Sequence, residues 1–163
     1  MIPIKKEAVL ITSEMIKPSD VGLEVVGTLN PAAIRLKNGD IVLYVRVIEK
    51  IKITEGKKYY YSPRCSGKST CEVVFDKIKK EDVEKEGGMA FIYKDGTKRL
   101  TYISHLRRVI LDKDGFTIKK IDKKPSFQGL KDDGEFGVED ARITKINNKY
   151  YMTYVTLSFG ENI

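Results

Sequence analysis

The sequence predicts an all-β chain assembled from antiparallel hairpins. Runs of β-branched and aromatic residues recur along its length, which is the composition of pleated, half-buried strands. Between them stand Asn-Gly and Asp-Gly turns, the strongest short-range hairpin signals. One hairpin unit also occurs twice, near the start of the chain and again near its end.

The first pair consists of Ala32-Ala33-Ile34-Arg35-Leu36 and Ile41-Val42-Leu43-Tyr44-Val45-Arg46-Val47, joined at Asn38-Gly39-Asp40. A single short helix is expected over Asp76–Glu86, capped at Asp76 and stopped by Gly87-Gly88. A second hairpin runs from Met89–Tyr93 through Lys94-Asp95-Gly96-Thr97 to Arg99–Ile103. A third joins Arg108–Leu111 to Phe116–Ile118 at Asp114-Gly115, and a fourth joins Ala141–Ile146 to Tyr150–Leu157 at Asn147-Asn148. The repeated unit begins at Asn30-Pro31-Ala32-Ala33-Ile34 and at Glu139-Asp140-Ala141-Arg142-Ile143. In both copies a polar start leads into a small-plus-apolar strand, an Asn-centred turn and a Tyr-containing return strand. A hairpin recurring with polar residues at the same strand start is what a β-propeller produces, because each blade presents its innermost strand to a shared channel.

Composition bounds the partners. At 163 residues, with 41% hydrophobic and 33% charged residues, the chain suits one globular domain. Thirty basic against 23 acidic residues give a net charge of +7. Charges of both signs are mixed along the chain, as in Lys77-Ile78-Lys79-Lys80-Glu81-Asp82, and Lys far outnumbers Arg. This is a mixed Lys/Glu surface rather than a nucleic-acid footprint. No apolar run reaches the roughly 18 residues of a membrane span, and Met1-Ile2-Pro3-Ile4-Lys5-Lys6-Glu7 lacks a signal-peptide core. A cytoplasmic protein without a membrane partner is expected. Cys65 and Cys71 match no zinc pattern, and His105 does not complete one. They read as a reduced pair, with a local disulfide as the alternative.

Chemistry concentrates at Glu139-Asp140. Cleavage of a glycosidic bond needs a proton delivered to the leaving oxygen, and a carboxyl group is the usual donor. On a regular strand two adjacent side chains point to opposite faces, so at most one of this pair faces a given channel. Arg142 lies on the same face as Asp140 if the strand has begun there, and can hold it ionised or bind sugar hydroxyls. The plain alternative is a surface turn paired with Arg142. Arg46 interrupts an apolar strand, so it either sits in solvent at the strand end or faces a polar channel and pairs there. Asn30 either starts a turn or offers its amide to a sugar hydroxyl pair. Three motifs carry no function. Gly67-Lys68-Ser69 lacks the first glycine of a phosphate loop, since position 62 is Ser62. Asp112-Lys113-Asp114-Gly115 lacks the later ligands of a calcium loop. Tyr59-Tyr60-Tyr61 reads as an ordinary aromatic strand or a packing contact.

Gly137-Val138-Glu139-Asp140-Ala141-Arg142-Ile143, followed by Tyr150-Tyr151-Met152-Thr153-Tyr154, resembles glycoside hydrolase family 130, the β-mannoside phosphorylases and mannosidases. That family carries Gly-x-Glu-Asp-Pro-Arg-Ile and then Tyr-Tyr-Met-Thr-Tyr. Thr28-Leu29-Asn30-Pro31-Ala32-Ala33, Leu43-Tyr44-Val45-Arg46-Val47, Ser104-His105-Leu106-Arg107 with Asp114-Gly115-Phe116, and Pro125-Ser126-Phe127 are similar to further family segments, in the same order. The resemblance covers most of residues 25–157.

It implies a five-bladed β-propeller, of which this chain would hold about two to three blades. It also implies Asp140 as catalytic acid, protonating through a substrate hydroxyl, with Asn30 and Arg46 contacting the sugar; Glu139 and Arg142, beside the acid, are further candidates for substrate binding. The substrate would be a mannoside or oligosaccharide, the reaction that of a glycosidase, hydrolase, glycosyltransferase or phosphorylase. No cofactor or metal is implied; inorganic phosphate is co-substrate if the enzyme is a phosphorylase. Ala141 departs from the family's proline, the stretch His105–Val109 is more basic, and residues 48–98 read as an inserted loop or hairpin within a single domain 1–163. Five blades need roughly 300 residues. The expectation is therefore an incomplete propeller completed by a second copy or a companion subunit; the alternative is a truncated, non-catalytic sugar-binding or assembly module.

Overall fold

The computed structural model describes residues 6–52 and 58–159. Most of the N-terminal stretch considered as a targeting signal lies outside the described residues. Eleven strands follow in order: β1 (Leu23–Arg35), β2 (Ile41–Ile51), β3 (Tyr59–Cys65), β4 (Val73–Lys79), β5 (Val83–Glu86), β6 (Ala90–Tyr93), β7 (Lys98–Leu100), β8 (Tyr102–Leu111), β9 (Ile118–Ile121), β10 (Val138–Ile146) and β11 (Lys149–Thr156). Among the described residues, strands and isolated bridges make up 56% and helix 4%, the latter as two 3-10 turns. The architecture is all-β, and it is part of a five-bladed propeller.

Strands β1, β2, β8 and β9 form one antiparallel four-stranded sheet in that spatial order, the shape of a propeller blade. Strands β10 and β11 form the next hairpin. Its turn is Asn147-Asn148, both at positive φ, which is the geometry a tight hairpin demands and asparagine tolerates. Between the paired neighbours β2 and β8 the chain makes two small sheets, β3–β4 and β5–β6–β7.

Two expectations are corrected here. Asp76–Glu86 is not a helix: Asp76 lies in β4 opposite Ser62, and a 3-10 turn (Lys80–Asp82) leads on into β5. Rather than capping a helix, the Asp76 carboxylate takes two hydrogen bonds from Arg64 on β3, at 2.5 and 3.1 Å. Val73, Val74 and Phe75 supply the β-branched and aromatic content that a strand favours. The cysteines are not a reduced pair: Cys65 and Cys71 form a disulfide, with Cα atoms 4.9 Å apart. Cys65 ends β3 fully buried against Leu23 and Ile103, so the bridge sits within a small apolar cluster.

The two faces of the blade are covered differently. On one, Ala32 and Leu106 pack against Val138 and Ala141 of β10, with Tyr44, Ile143 and Met152 at the margin. This is the seam between successive hairpin units. On the other, Leu43, Val45, Val109 and Leu111 are covered by Leu10 and Ile11. Polar groups also stitch the N-terminal segment onto that second face. The Glu49 carboxylate accepts hydrogen bonds from the Ser19 backbone N–H, at 2.6 Å, and from its hydroxyl. The Arg107 guanidinium, fully buried, donates to the carbonyls of Lys17, Asp122 and Lys123.

Candidate active site

Asn30 and Asp140 both adopt left-handed backbone conformations, φ 42° and 48°. Of the coded residues with a side chain, Asn and Asp tolerate that region best. Each sits in a β-bulge. The ladder slips between Leu29 and Ala32, where Asn30 and Pro31 face Val45; it slips again between Glu139 and Arg142, where Asp140 and Ala141 face Tyr154. Proline is at home in a bulge because no ladder hydrogen bond is asked of it. The repeat legible in the sequence is therefore real in the backbone but one residue out of step. The structural partner of Asn30 is Asp140, not Glu139, and that of Pro31 is Ala141.

The bulge also overturns the expectation that Glu139 and Asp140 point to opposite faces. A left-handed residue breaks the alternation of a regular strand. Both carboxylates consequently reach the same guanidinium. Arg46 Nη2 binds Glu139 Oε1, while Arg46 Nη1 lies 3.2 Å from Asp140 Oδ1. Asn30 Nδ2 donates to the same Asp140 oxygen at 2.8 Å. Arg46 is thus buried and paired rather than in solvent: it is only 7% exposed although it lies within an apolar strand.

Burial separates the two carboxylates. Glu139 is buried, and its Oε1 also accepts the Ser104 hydroxyl at 3.0 Å. The Asp140 side chain is 42% exposed. The Asn30 amide, followed by the Arg46 charge, holds the Asp140 carboxyl below its ordinary value against the opposing effect of burial. Tyr102, behind the pair, has its hydroxyl pushed up by burial and by the nearby Glu139 charge. Arg142 does not join the cluster by a hydrogen bond; its Nη1 donates to the Ala141 carbonyl, and its charge adds a smaller pull on Asp140.

Gly137 fixes where this strand begins. Its φ is +108°, and a Cβ there would lie 1.9 Å from the Ser104 carbonyl oxygen. Only glycine permits so close an approach of β10 to β8, where Ser104 and Gly137 form a bridge. That approach brings Glu139 within reach of Ser104.

An open groove of about 860 Å³ lies nearby, lined by Tyr44, Arg108, Lys120 and Phe127 among others. Tyr44 lies two residues from Arg46 and hence on the same face of β2. Asn30, Arg46 and Asp140 are not among its walls, so groove and charged cluster are separate features. Phe127 touches Tyr44 edge-on at 5.7 Å and lies 6.4 Å from Tyr154. Among the described residues no group of three or more His, Cys, Asp or Glu side chains is placed to hold a metal ion, and no helix is long and apolar enough to cross a membrane.

Reasoning from sequence missed the supporting side chains. Ser104 and Tyr102 on β8 back the charged cluster, and Glu49, His105 and Arg107 form a buried polar row on the opposite face. For the row, charged residues alternating with Val47, Leu106 and Val109 in strands that pack on both sides were the available signal.

The blade and the bulged strand are parts of a propeller fold, and the chain is similar to propeller-type carbohydrate-active enzymes. Within that class it is related to glycoside hydrolase family 130 and corresponds to the N-terminal half of such an enzyme. Over 162 residues, 95% of this chain, it is 31% identical to a β-1,2-mannobiose phosphorylase of Listeria innocua. The match spans 44% of that enzyme's length. A solved structure of β-1,2-mannobiose phosphorylase from Listeria innocua, in complex with β-1,2-mannobiose, superposes with a TM-score of 0.77 at 28% identity. That superposition covers 91% of this chain and 42% of the other. No family model matches the chain.

Proposed function

We propose that this chain supplies the acid and part of the sugar-binding surface of an enzyme that cleaves a β-mannosidic bond, with Asp140 as the proton donor. The observation that carries the reading is the convergence of Asn30 and Arg46 on the one exposed carboxylate of a buried charged cluster. Likeness to a β-1,2-mannobiose phosphorylase favours phosphate over water as the attacking group.

Asp140 rests ionised in this environment, because its two donors stabilise the charged form. A bound sugar hydroxyl displacing Asn30 or Arg46 from Oδ1 removes that stabilisation, and Asp140 then takes up a proton from solvent as substrate binds. The protonated Asp140 gives that proton to the hydroxyl while the hydroxyl passes its own to the glycosidic oxygen, so the carboxyl ends ionised and the hydroxyl is restored. Inorganic phosphate, as nucleophile, displaces the leaving sugar and takes the mannosyl group; the glycosidic oxygen leaves with the proton. A general acid of this kind contributes about 100- to 10,000-fold in rate.

The test is a turnover assay with β-1,2-mannobiose, with and without inorganic phosphate, following release of mannose 1-phosphate. Asp140→Asn is expected to lower turnover at least about 100-fold while leaving mannobiose binding within a few-fold. Unchanged turnover in that variant would sink Asp140 as the acid. Binding of mannobiose by calorimetry without turnover under any condition would favour a non-catalytic sugar-binding module instead.

A further inference from the structure

Glu139 precedes Asp140 in the chain, yet its surroundings give it different work. It is 8% exposed, with its Oε1 shared between the Ser104 hydroxyl and Arg46 Nη2. The other amino group of the same guanidinium faces Asp140 Oδ1. Arg46 is thus divided between a buried carboxylate and an exposed one. An arginine cannot shed its proton, and at this depth its charge needs a counter-ion. Were Glu139 absent, Asp140 would be the only carboxylate among the described residues hydrogen-bonded to Arg46, and the pair would close on itself.

We propose that Glu139, seated on Ser104, is a positioning residue: it neutralises Arg46 and fixes the plane of its fork, so that Asp140 stays available to the sugar. The proposal rests on the reading of Asp140 as the acid. The groups facing Asp140 are few. Arg46 reaches it from β2, the Asn30 amide from β1, and Arg142 pulls on it from β10 itself. Tyr102 and Ser104 of β8 stand behind the Arg46–Glu139 pair and act on Asp140 only through it. Ser104 is in turn fixed by backbone contact with Gly137, its N–H donating to Phe136 O at 3.0 Å. Glycine, serine, glutamate, arginine and aspartate form one chain of support, in which only the last member is well exposed.

Glu139→Gln tests this directly, because the amide oxygen still accepts from Ser104 while the charge is gone. Carboxyl-carbon NMR titration of the whole protein reads Asp140 with no need for turnover. Freed of its competitor, Arg46 acts on Asp140 alone, and the Asp140 midpoint falls by about half a pH unit or more. Glu139→Asp, which keeps the charge, holds that midpoint near wild type. Mannobiose affinity changes less than about threefold in Glu139→Gln, whereas a carboxylate that itself bound the sugar would cost about tenfold or more. Should Glu139→Gln fail to fold, Ser104→Ala keeps every charge and lowers the same midpoint by a smaller amount. An Asp140 midpoint that stays put or rises overturns the positioning role, whatever turnover does. A tenfold loss of affinity with an unmoved midpoint would make Glu139 a sugar ligand and overturn it equally. Full turnover by Asp140→Asn would show separately that the acid reading beneath the proposal is wrong.

Discussion

At the scale of single residues, the site depends on two positions that few side chains can occupy. Asn30 and Asp140 take left-handed backbone conformations in equivalent bulges, and the amide of one donates to the carboxylate of the other. Asparagine at the first position gives Asp140 a neutral donor, where a second carboxylate would have repelled it. Replacing Asn30 with Ala removes the largest influence that lowers the Asp140 pKa. The Asp140 midpoint should then rise toward the ordinary value for aspartate in carboxyl NMR titration; a midpoint unchanged within error would mean that Arg46 alone sets it. The sign for stability follows from linkage. Because the folded pKa is depressed, the contribution of Asp140 is present above the ordinary aspartate value and lost as pH falls through the folded one. Its side chain is 42% exposed, so solvent screening keeps that contribution small.

Individual elements show what their sequences made legible and what they did not. All four hairpins expected from Asn-Gly, Asp-Gly and Asn-Asn turns are present, because such turns impose local backbone geometry that needs no tertiary help. One of them carries a prediction. Asp114 accepts the backbone N–H groups of Phe116 and Thr117 and the Thr117 hydroxyl, which together lower its pKa to about 2. The β8–β9 turn should therefore stay closed as pH falls through the ordinary aspartate range and loosen only as Asp114 protonates near 2. Amide exchange at Phe116 and Thr117 measures this, and loss of protection already near pH 4 would contradict it. The Asp76–Glu86 segment failed as a helix because its decisive partner, Arg64, comes from another strand. The convergence of Glu139 and Asp140 was hidden for a related reason. Sequence alternation places neighbours on opposite faces, and only the bulge, visible as a slipped ladder, brings them together. Arg46 was legible as an anomaly within an apolar strand, but its carboxylate partners come from β10 and lie far away in the sequence.

Across the whole molecule, the blade has two faces and the buried polar row on the second one holds the N-terminal segment in place. His105 lies between Glu49 and Arg107, with Nδ1 3.6 Å from the Glu49 carboxylate and Nε2 3.0 Å from Arg107 Nη2. Since arginine can only donate, Nε2 is the acceptor and the ring proton is assigned to Nδ1. Burial, with the Arg107 charge adding to it, depresses the His105 pKa. Burial alone would raise Glu49, but hydrogen bonds from His105 and Ser19 outweigh it and keep this carboxyl below its ordinary value. Both shifts have the same consequence on acidification. The unfolded chain takes up a proton at histidine near pH 6.5 while the folded one resists, so stability is full above that value and declines below it. The Glu49 contribution follows at lower pH, lost as pH drops through its folded pKa. His105→Gln should therefore flatten the fall in melting temperature between about pH 6.5 and 5 without removing the later decline. Arg107→Met goes further. It leaves the carbonyls of Lys17, Asp122 and Lys123 without their donor and Glu49 without nearby positive charge, a loss of about 3 kcal/mol or more. Limited proteolysis should then open the N-terminal segment around Lys17 before the blade itself unfolds. If that segment stays as protected as in the wild type while the melting temperature is unchanged, the buried row is not what fastens it, and the apolar contacts of Leu10 and Ile11 with the sheet carry the attachment, with the Thr28 hydroxyl on the Ile11 carbonyl.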